Sequence, residues 1–275
     1  MSNMIGVRDL EEIVETVIWT AYVEGEKPVS LLLASRVEGG KTRLLLQYTE
    51  NKGIERLDDM TAWALTSPSR AVYQRLLNNQ THHIVCPDLL RPLSRNRDTV
   101  NTLITFLLGL IEEGTMAIST YATNLALKEP LLCGLITGIA KEELHIHRHQ
   151  WMRVGFLSRL LPVSWEYSPG TQAGISHSIA KREYIHYVPV DLSLPDRPLT
   201  VFLPPEISYQ LEILAPLVIN TQKEAERLYG FRLQRQLQAF TMAHALRAGR
   251  DTVLKEDYER TAQLSNFWNL NYNAL

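Results

Sequence analysis

Two hydrophobic rhythms alternate along the first 168 residues of this chain. Leu10, Ile13, Val14, Val17 and Ile18 recur every three or four positions, so residues 8–23 read as an amphipathic helix that Gly25 and Pro28 bring to an end. From Val29 to Ala34 the apolar residues run together, which predicts a buried strand; a glycine turn follows, and a helix begins at Lys41. Trp63, Leu65 and their neighbours suggest a second strand after Asp58-Asp59, and residues 69–79 read as helix. Ile84-Val85-Cys86 is a short apolar run that ends in Pro87-Asp88. Pro92 and Asn96 mark a loop, and Asp98 is placed to cap a helix over Thr99–Glu113. Met116–Thr120 alternates as a strand does, and a polar tip follows near Tyr121–Asn124. Cys133–Ile139 is a further apolar strand running into a helix that opens Ala140-Lys-Glu-Glu, and Leu160–Trp165 completes the series.

Strands alternating with helices predict an α/β fold, a mostly parallel sheet with helices on both faces. Such sheets bind ligands at the carboxyl ends of their strands, where the glycine turn, Asp88 and Thr137 are all expected to fall. Beyond residue 168 the pattern changes. Residues 169–203 read as a connecting segment, with proline and short β runs over 186–203. Helical patterns at 205–228, 231–248 and 255–269 then make 204–275 a small helical lid, with Gly230 and Ala248-Gly249 between its helices. Thr252-Val-Leu-Lys-Glu256-Asp257 has the form of a capping box for the last of them.

Composition narrows the picture only slightly. The chain has 275 residues, 45% of them apolar, enough for one sizeable core and a smaller appended domain. A net charge of −2 advertises no general affinity for nucleic acid or membranes, although a ring that holds DNA in a local pore is compatible with it. Cys86 and Cys133 lie in apolar runs and read as buried, reduced thiols of a cytoplasmic protein. No signal peptide is recognised, and no apolar run approaches the ~18 residues of a membrane span.

The candidate chemistry sits where the first strand ends, in Ser35-Arg-Val-Glu38-Gly39-Gly40-Lys41-Thr42. An apolar strand, a glycine turn, Lys-Thr and a helix make the architecture of a P-loop. Backbone N–H groups around Glu38, Gly39, Gly40 and Arg43 would cradle the phosphates of ATP, Lys41 would reach the β- and γ-phosphates, and Thr42 would ligate Mg²⁺. Ser35 stands where the motif has its first glycine. The plain alternative is a strand, turn and helix with no ligand. Asp88, at the end of an apolar run, occupies the place of a Walker B aspartate that holds Mg²⁺; the alternative is an aspartate opening a turn before Pro92.

In their order along the chain, these pieces resemble an AAA+ ATPase, and within that superfamily the branch with a β-hairpin before sensor 1, which includes MCM helicases and MoxR-like ATPases. Met4-Ile5-Gly6 and the helix after it resemble the segment that covers adenine, which implicates Ile5 and Gly6. Asp98 through Thr120, with Leu110-Ile-Glu-Glu-Gly-Thr-Met-Ala-Ile-Ser119, is similar to the MCM helix that runs into the hairpin. Gly134-Leu-Ile-Thr137 resembles the sensor 1 strand and implies that Thr137 lies beside the γ-phosphate. Gly155-Phe-Leu-Ser-Arg159-Leu-Leu resembles an arginine-finger segment, so Arg159 would reach the γ-phosphate held by a neighbouring subunit. Gly230-Phe-Arg232, eleven residues before Ala243-His-Ala245, is similar to the sensor 2 helix, with Arg232 sensing nucleotide from the lid. Gly249–Asp257 is similar to the last lid turn. The resemblance implies a homo-oligomeric ring, hexameric or heptameric, with Tyr121, Thr123 and Lys128 of the hairpin facing its pore.

One departure bears on activity. Leu89 replaces the glutamate that follows the Walker B aspartate in this superfamily and polarises the attacking water. Asp58, Asp59, Glu112 and Glu113 are the candidate substitutes, or else hydrolysis is slow or absent. His145, His147 and His149 read as a solvated helix rather than a metal site, because only His145 and His149 share a face, and His82-His83 read as loop. Two functional readings follow. One is an ATP-driven, MCM-like nucleic-acid motor, a helicase or translocase core. The other is a MoxR-like ring that recruits or remodels a protein partner, with a non-hydrolysing scaffold as its limiting case.

Overall fold

The strand β1, Ser30–Ser35, is buried at all six of its positions because it has a parallel partner on each side. One is β6, Gly134–Ala140, and the other is β7, Leu160–Ser164. In the computed structural model, which describes residues 4–119, 124–183, 188–219 and 229–269, β3 (His83–Cys86) and the edge strand β2 (Ile54–Arg56) extend the sheet beyond β6. The order is β2-β3-β6-β1-β7, parallel throughout. A sheet covered on both faces needs apolar side chains on both, which is why its strands read as unbroken hydrophobic runs.

Alternate residues separate the two faces. Leu31 and Leu33 join a core with α1 (Arg8–Trp19), α2 (Lys41–Leu46), α9 (Pro205–Ile219), α10 (Phe231–Arg247) and α11 (Lys255–Leu264). Leu32 and Ala34 face a second core built with α6 (Arg97–Leu108) and α7 (Lys141–Arg153). Among the described residues no helix is long and apolar enough to cross a membrane.

Several elements differ from the sequence expectation. Trp63 and Leu65 lie in a helix, α3 (Ala62–Thr66), whose N-cap Thr61 accepts from Ala64 N at 3.2 Å; the strand is Ile54–Arg56 instead. That strand has only a half-buried edge, and its Glu55 pairs with Arg75 of α4 (Ala71–Leu77), so its apolar signal is weak. Asn96, not Asp98, caps α6, with Oδ1 accepting from Thr99 N at 3.0 Å. His83 is no loop residue. It opens β3 fully buried, its Nε2 lies 3.1 Å from Val29 O, and burial pushes its pKa down to about 3, so it is neutral. The connecting segment opens with a helix, α8 (Pro169–Ala180), capped by Ser168, and over 186–203 the described residues form isolated bridges, Val23 with Leu199 and Phe202 with Thr252, in place of the expected short β runs.

After α6 the chain makes one π-helical turn over Gly109–Glu113 and turns at Gly114, whose φ of 83° suits glycine. It then forms an antiparallel hairpin of β4 (Thr115–Ser119) and β5 (Asn124–Leu131).

A network of charges joins α1 to α10 and α11. Asp257 is fully buried; its carboxylate lies 2.6 Å from His244 Nδ1 and accepts from Arg250 at 2.5 Å and from Leu254 N at 2.8 Å. Glu12 accepts from Arg260 at 2.7 Å and lies 3.2 Å from His244 Nε2. Burial opposes the charge on His244, but its two carboxylate partners outweigh burial and raise its pKa. Burial likewise opposes the charge on Glu12, yet bonds from His244 and Arg260 hold it at about 2. The His244 contribution is therefore complete below pH ~6.5 and is lost as pH rises through its raised value, whereas that of Glu12 is lost only as pH falls towards 2. Asp257→Ala is expected to cost about 3–5 kcal/mol of unfolding free energy, the usual cost of removing one member of a buried ion network. In urea titrations the advantage of the native chain over His244→Ala should shrink between pH 6 and pH 9.

Candidate functional site

Ser35 ends β1, and Arg36–Gly40 turn the chain into α2. Glu38 and Gly40 both have positive φ, 66° and 77°, while Gly39 N closes the turn on Arg36 O at 3.1 Å. A Cβ on Gly39 would overlap Ser35 Oγ and come within 2.9 Å of Arg36 O. The serine that departs from the motif thus fits because Gly39 leaves it the room. Its hydroxyl also helps to hold Lys41, whose ammonium donates to Ser35 Oγ at 3.1 Å, Ser35 O at 3.0 Å and Arg36 O at 2.8 Å. Burial lowers the pKa of Lys41, and the charges of Glu142 and Asp88 work against that shift. Thr42 is exposed in the first turn of α2, with Arg43 half-buried beside it.

Across the loop, Tyr167 Oη donates to Gly39 O at 2.9 Å, and Glu166 lies 3.5 Å from Arg36 Nε and 3.3 Å from the buried Lys141 Nζ. The loop, Trp165, Glu166, Tyr167 and Gln172 enclose a cavity of about 260 Å³. Ile5 and Gly6, expected over adenine, lie against α8: Gly6 abuts Thr171 and Ile5 lies near Gly174, while Met4 reaches Gly40.

Asp88 is exposed two residues beyond β3, with Oδ1 accepting from Leu90 N at 3.1 Å. Leu89 is fully buried, its N–H bonded to Gly138 O at 2.9 Å. A Cβ on Gly138 would stand 3.0 Å from Pro87 O and 3.3 Å from Lys41 Cβ, so β6 passes directly between the lysine and the Asp88 turn. Thr137 is not at the loop. It pairs with Leu32, three residues before the Ser35–Ala140 pair, which places it roughly 10 Å down the strand. Its side chain is fully buried and its hydroxyl donates to Cys86 O at 2.6 Å.

Arg159 and Arg232 lie at the other edge of the sheet. Arg159 directly precedes β7, whose first residue pairs with Ser30 at the start of β1, while Lys41 follows the end of β1. The length of that strand, roughly 20 Å, separates Arg159 from its own loop. Its side chain, 11% exposed, is held within its own fold: Nη1 donates to Gly155 O at 2.8 Å, Nε lies 2.9 Å from Glu112 Oε2, and Nη2 pairs with Glu113. Arg232 donates through Nε to both Glu112 oxygens, at 2.8 and 2.7 Å, and through Nη1 to Ser158 Oγ at 3.2 Å. Arg232 therefore stands with Arg159, away from the phosphate loop of its own chain.

Tyr121 and Thr123 lie outside the described residues; Lys128 is exposed on β5. The acids expected to replace Leu89 are engaged elsewhere. Asp58 pairs with Arg56 at 3.0 Å, Asp59 with Arg95, and Glu112 and Glu113 with the arginines just described. His147 stacks on Trp151, and among the described residues no grouping of His, Cys, Asp and Glu is arranged to hold a metal. Sequence reasoning passed over Glu142 and Tyr167. The doublet Glu142-Glu143 directly after a strand was a usable signal for the first.

No family model matches the sequence, and no curated protein matches it. Among solved structures the fold resembles that of a full-length MCM homolog from Methanopyrus kandleri, with a TM-score of 0.57 at 13% identity. The likeness covers 96% of this chain and 55% of that one, so this chain spans about half the length of its structural neighbour. At this identity it establishes fold alone: a five-stranded parallel sheet flanked by helices, of the α/β P-loop NTPase fold.

The contact between Ser35 and Gly39 predicts a specific epistasis. Gly39→Ala should lose about 1–3 kcal/mol through overpacking. Ser35→Gly in the same chain should recover part of that loss, the remainder being the approach to Arg36 O, as read by thermal unfolding.

Proposed function

We propose that this chain binds ATP with Mg²⁺ and acts as a subunit of a homo-oligomeric ring, the motor core of an MCM-like machine on nucleic acid. The observation that carries the reading is the separation of two half-sites. The loop with Lys41, Thr42 and Asp88 lies at the carboxyl edge of the sheet, and Arg159 with Arg232 lies at the amino edge. One copy cannot bring its arginines to its own loop, but a neighbour can.

The residues present suit a triphosphate. Two positive-φ positions open the loop backbone, a side chain at Gly39 would crowd Ser35 and the Arg36 carbonyl, and a lysine stands at the helix start with an aspartate one strand away. Thr42 and Asp88 would hold the metal, and Lys41 the β- and γ-phosphates. Bound ATP supplies the phosphoryl group whose transfer releases the energy. To meet it, Lys41 must leave the carbonyls of Ser35 and Arg36. Arg159 and Arg232 must likewise exchange Glu112 and Glu113 for the phosphate of the adjacent subunit, where their charge stabilises the transition state.

A second reading, a MoxR-like ring that remodels a protein partner, draws support from the hairpin. Its described residues carry one cation, Lys128, beside an acid, Glu129, and expose Met116. The two readings part on DNA binding measured against salt with a non-hydrolysable ATP analogue. A motor on nucleic acid should bind at low salt and weaken steeply as salt rises, whereas absence of binding at low salt favours the protein-remodelling ring.

Lys41→Ala is expected to abolish ATP–Mg²⁺ binding in calorimetry. Arg159→Ala should bind ATP normally and turn it over about 10³-fold more slowly. Mixing the two variants should restore part of the activity, because the Lys41→Ala subunit still offers its Arg159 to an intact loop.

A further inference from the structure

We infer that Glu142 is the carboxylate that orients the attacking water in this nucleotide site, taking the role left open by Leu89; the inference rests on the nucleotide reading above. Leu89 is fully buried and fixed by its backbone to β6, so nothing at that position faces the loop. Asp88 is the expected metal ligand and already accepts a backbone bond from Leu90. Of the other acids near the loop, Glu166 is divided between Arg36 and Lys141, and Glu38 is exposed within the turn itself at a positive φ. Asp58, Asp59, Glu112 and Glu113 are all ion-paired, the last two at the opposite edge of the sheet.

Glu142 is differently placed. β6 keeps register with β1 up to Ala140 opposite Ser35, the residue at which the phosphate loop begins. Two residues earlier, Gly138 touches both the Lys41 side chain and the Pro87 carbonyl. The chain then enters α7, where Lys141 turns inward to Glu166 and Glu142 is exposed in the first turn. Glu142 takes part in no ion pair among the described residues. Its charge is the largest favourable one felt by the Lys41 ammonium, ahead of Asp88. A carboxylate with no ion-pair partner among the described residues thus stands two residues beyond the strand that separates the lysine from the Asp88 turn.

In the reaction, the water oxygen bonds to the γ-phosphorus and its proton passes to the Glu142 carboxylate, then to solvent. The bond from the γ-phosphorus to the bridging oxygen breaks, and ADP leaves with that electron pair. General-base assistance of this kind is worth about 10²–10⁴-fold.

The test uses the full chain under assembling conditions. Native protein, Glu142→Gln, Glu142→Asp and Glu143→Gln are compared for ATP–Mg²⁺ affinity by calorimetry and for single-turnover hydrolysis across pH. The expected result is that Glu142→Gln binds ATP as the native chain does, hydrolyses it at least ~100-fold more slowly and loses the acidic limb of the pH profile. Glu142→Asp should recover part of the rate, and Glu143→Gln should match the native chain. Native-like turnover by Glu142→Gln, or native protein that binds ATP without hydrolysing it, overturns the inference and leaves the nucleotide reading intact. Native protein that binds no ATP overturns that reading first, and the inference with it.

Discussion

The parallel pairing of β1 with a strand on each side governs the rest of the molecule. Every residue of β1 is buried, and every one is in register with a residue of β6, of β7 or of both. Because all five strands run the same way, every loop leaving a strand emerges at one edge and every segment entering a strand arrives at the other. Lys41 and Asp88 follow strands, and Arg159 precedes one. The distance between Lys41 and Arg159 within one chain is a property of strand direction, and no side-chain rotation can close it.

The cations of both half-sites have acceptors within the chain. Lys41 rests on two carbonyls and a hydroxyl of its own turn, and Glu112 is shared by Arg159 and Arg232. On the proposed reading, a phosphate would have to compete with these bonds and not with water alone, and its effect on the protein would equal the difference between the two sets of contacts. Glu112 lies in the turn that leads into the β4–β5 hairpin, so the arginines and the hairpin share an attachment.

What could be read from the sequence was what local periodicity controls. β1 and the glycine turn were legible because a buried parallel strand has an unmistakable apolar run and only glycine suits the crowded position 39. The strand containing Thr137 was also legible, but its register was not. An offset of three residues from the Ser35 pair puts that hydroxyl on the Cys86 carbonyl, and nothing local encodes the offset. β2 and α3 were misread because a three-residue edge strand with no fully buried position carries little apolar signal, while Trp63 stands half-exposed with the Arg70 guanidinium 5.0 Å over its ring and not in a sheet core. The partners of Arg159 were invisible for a different reason: Glu113 is forty-six positions away and meets it only after the sheet has formed.

The charged network around Glu12 ties α1 to helices far along the chain. Arg260 and Glu12 are separated by 248 positions, and His244 and Glu12 by 232. The helices that neutralise the acidic face of α1 therefore follow it by more than two hundred residues. Until they dock, its apolar stripe lacks much of its cover and its carboxylates lack their cations. Closing so long a loop costs conformational entropy before any of these contacts repays it, so the burial of α1 depends on non-local contacts.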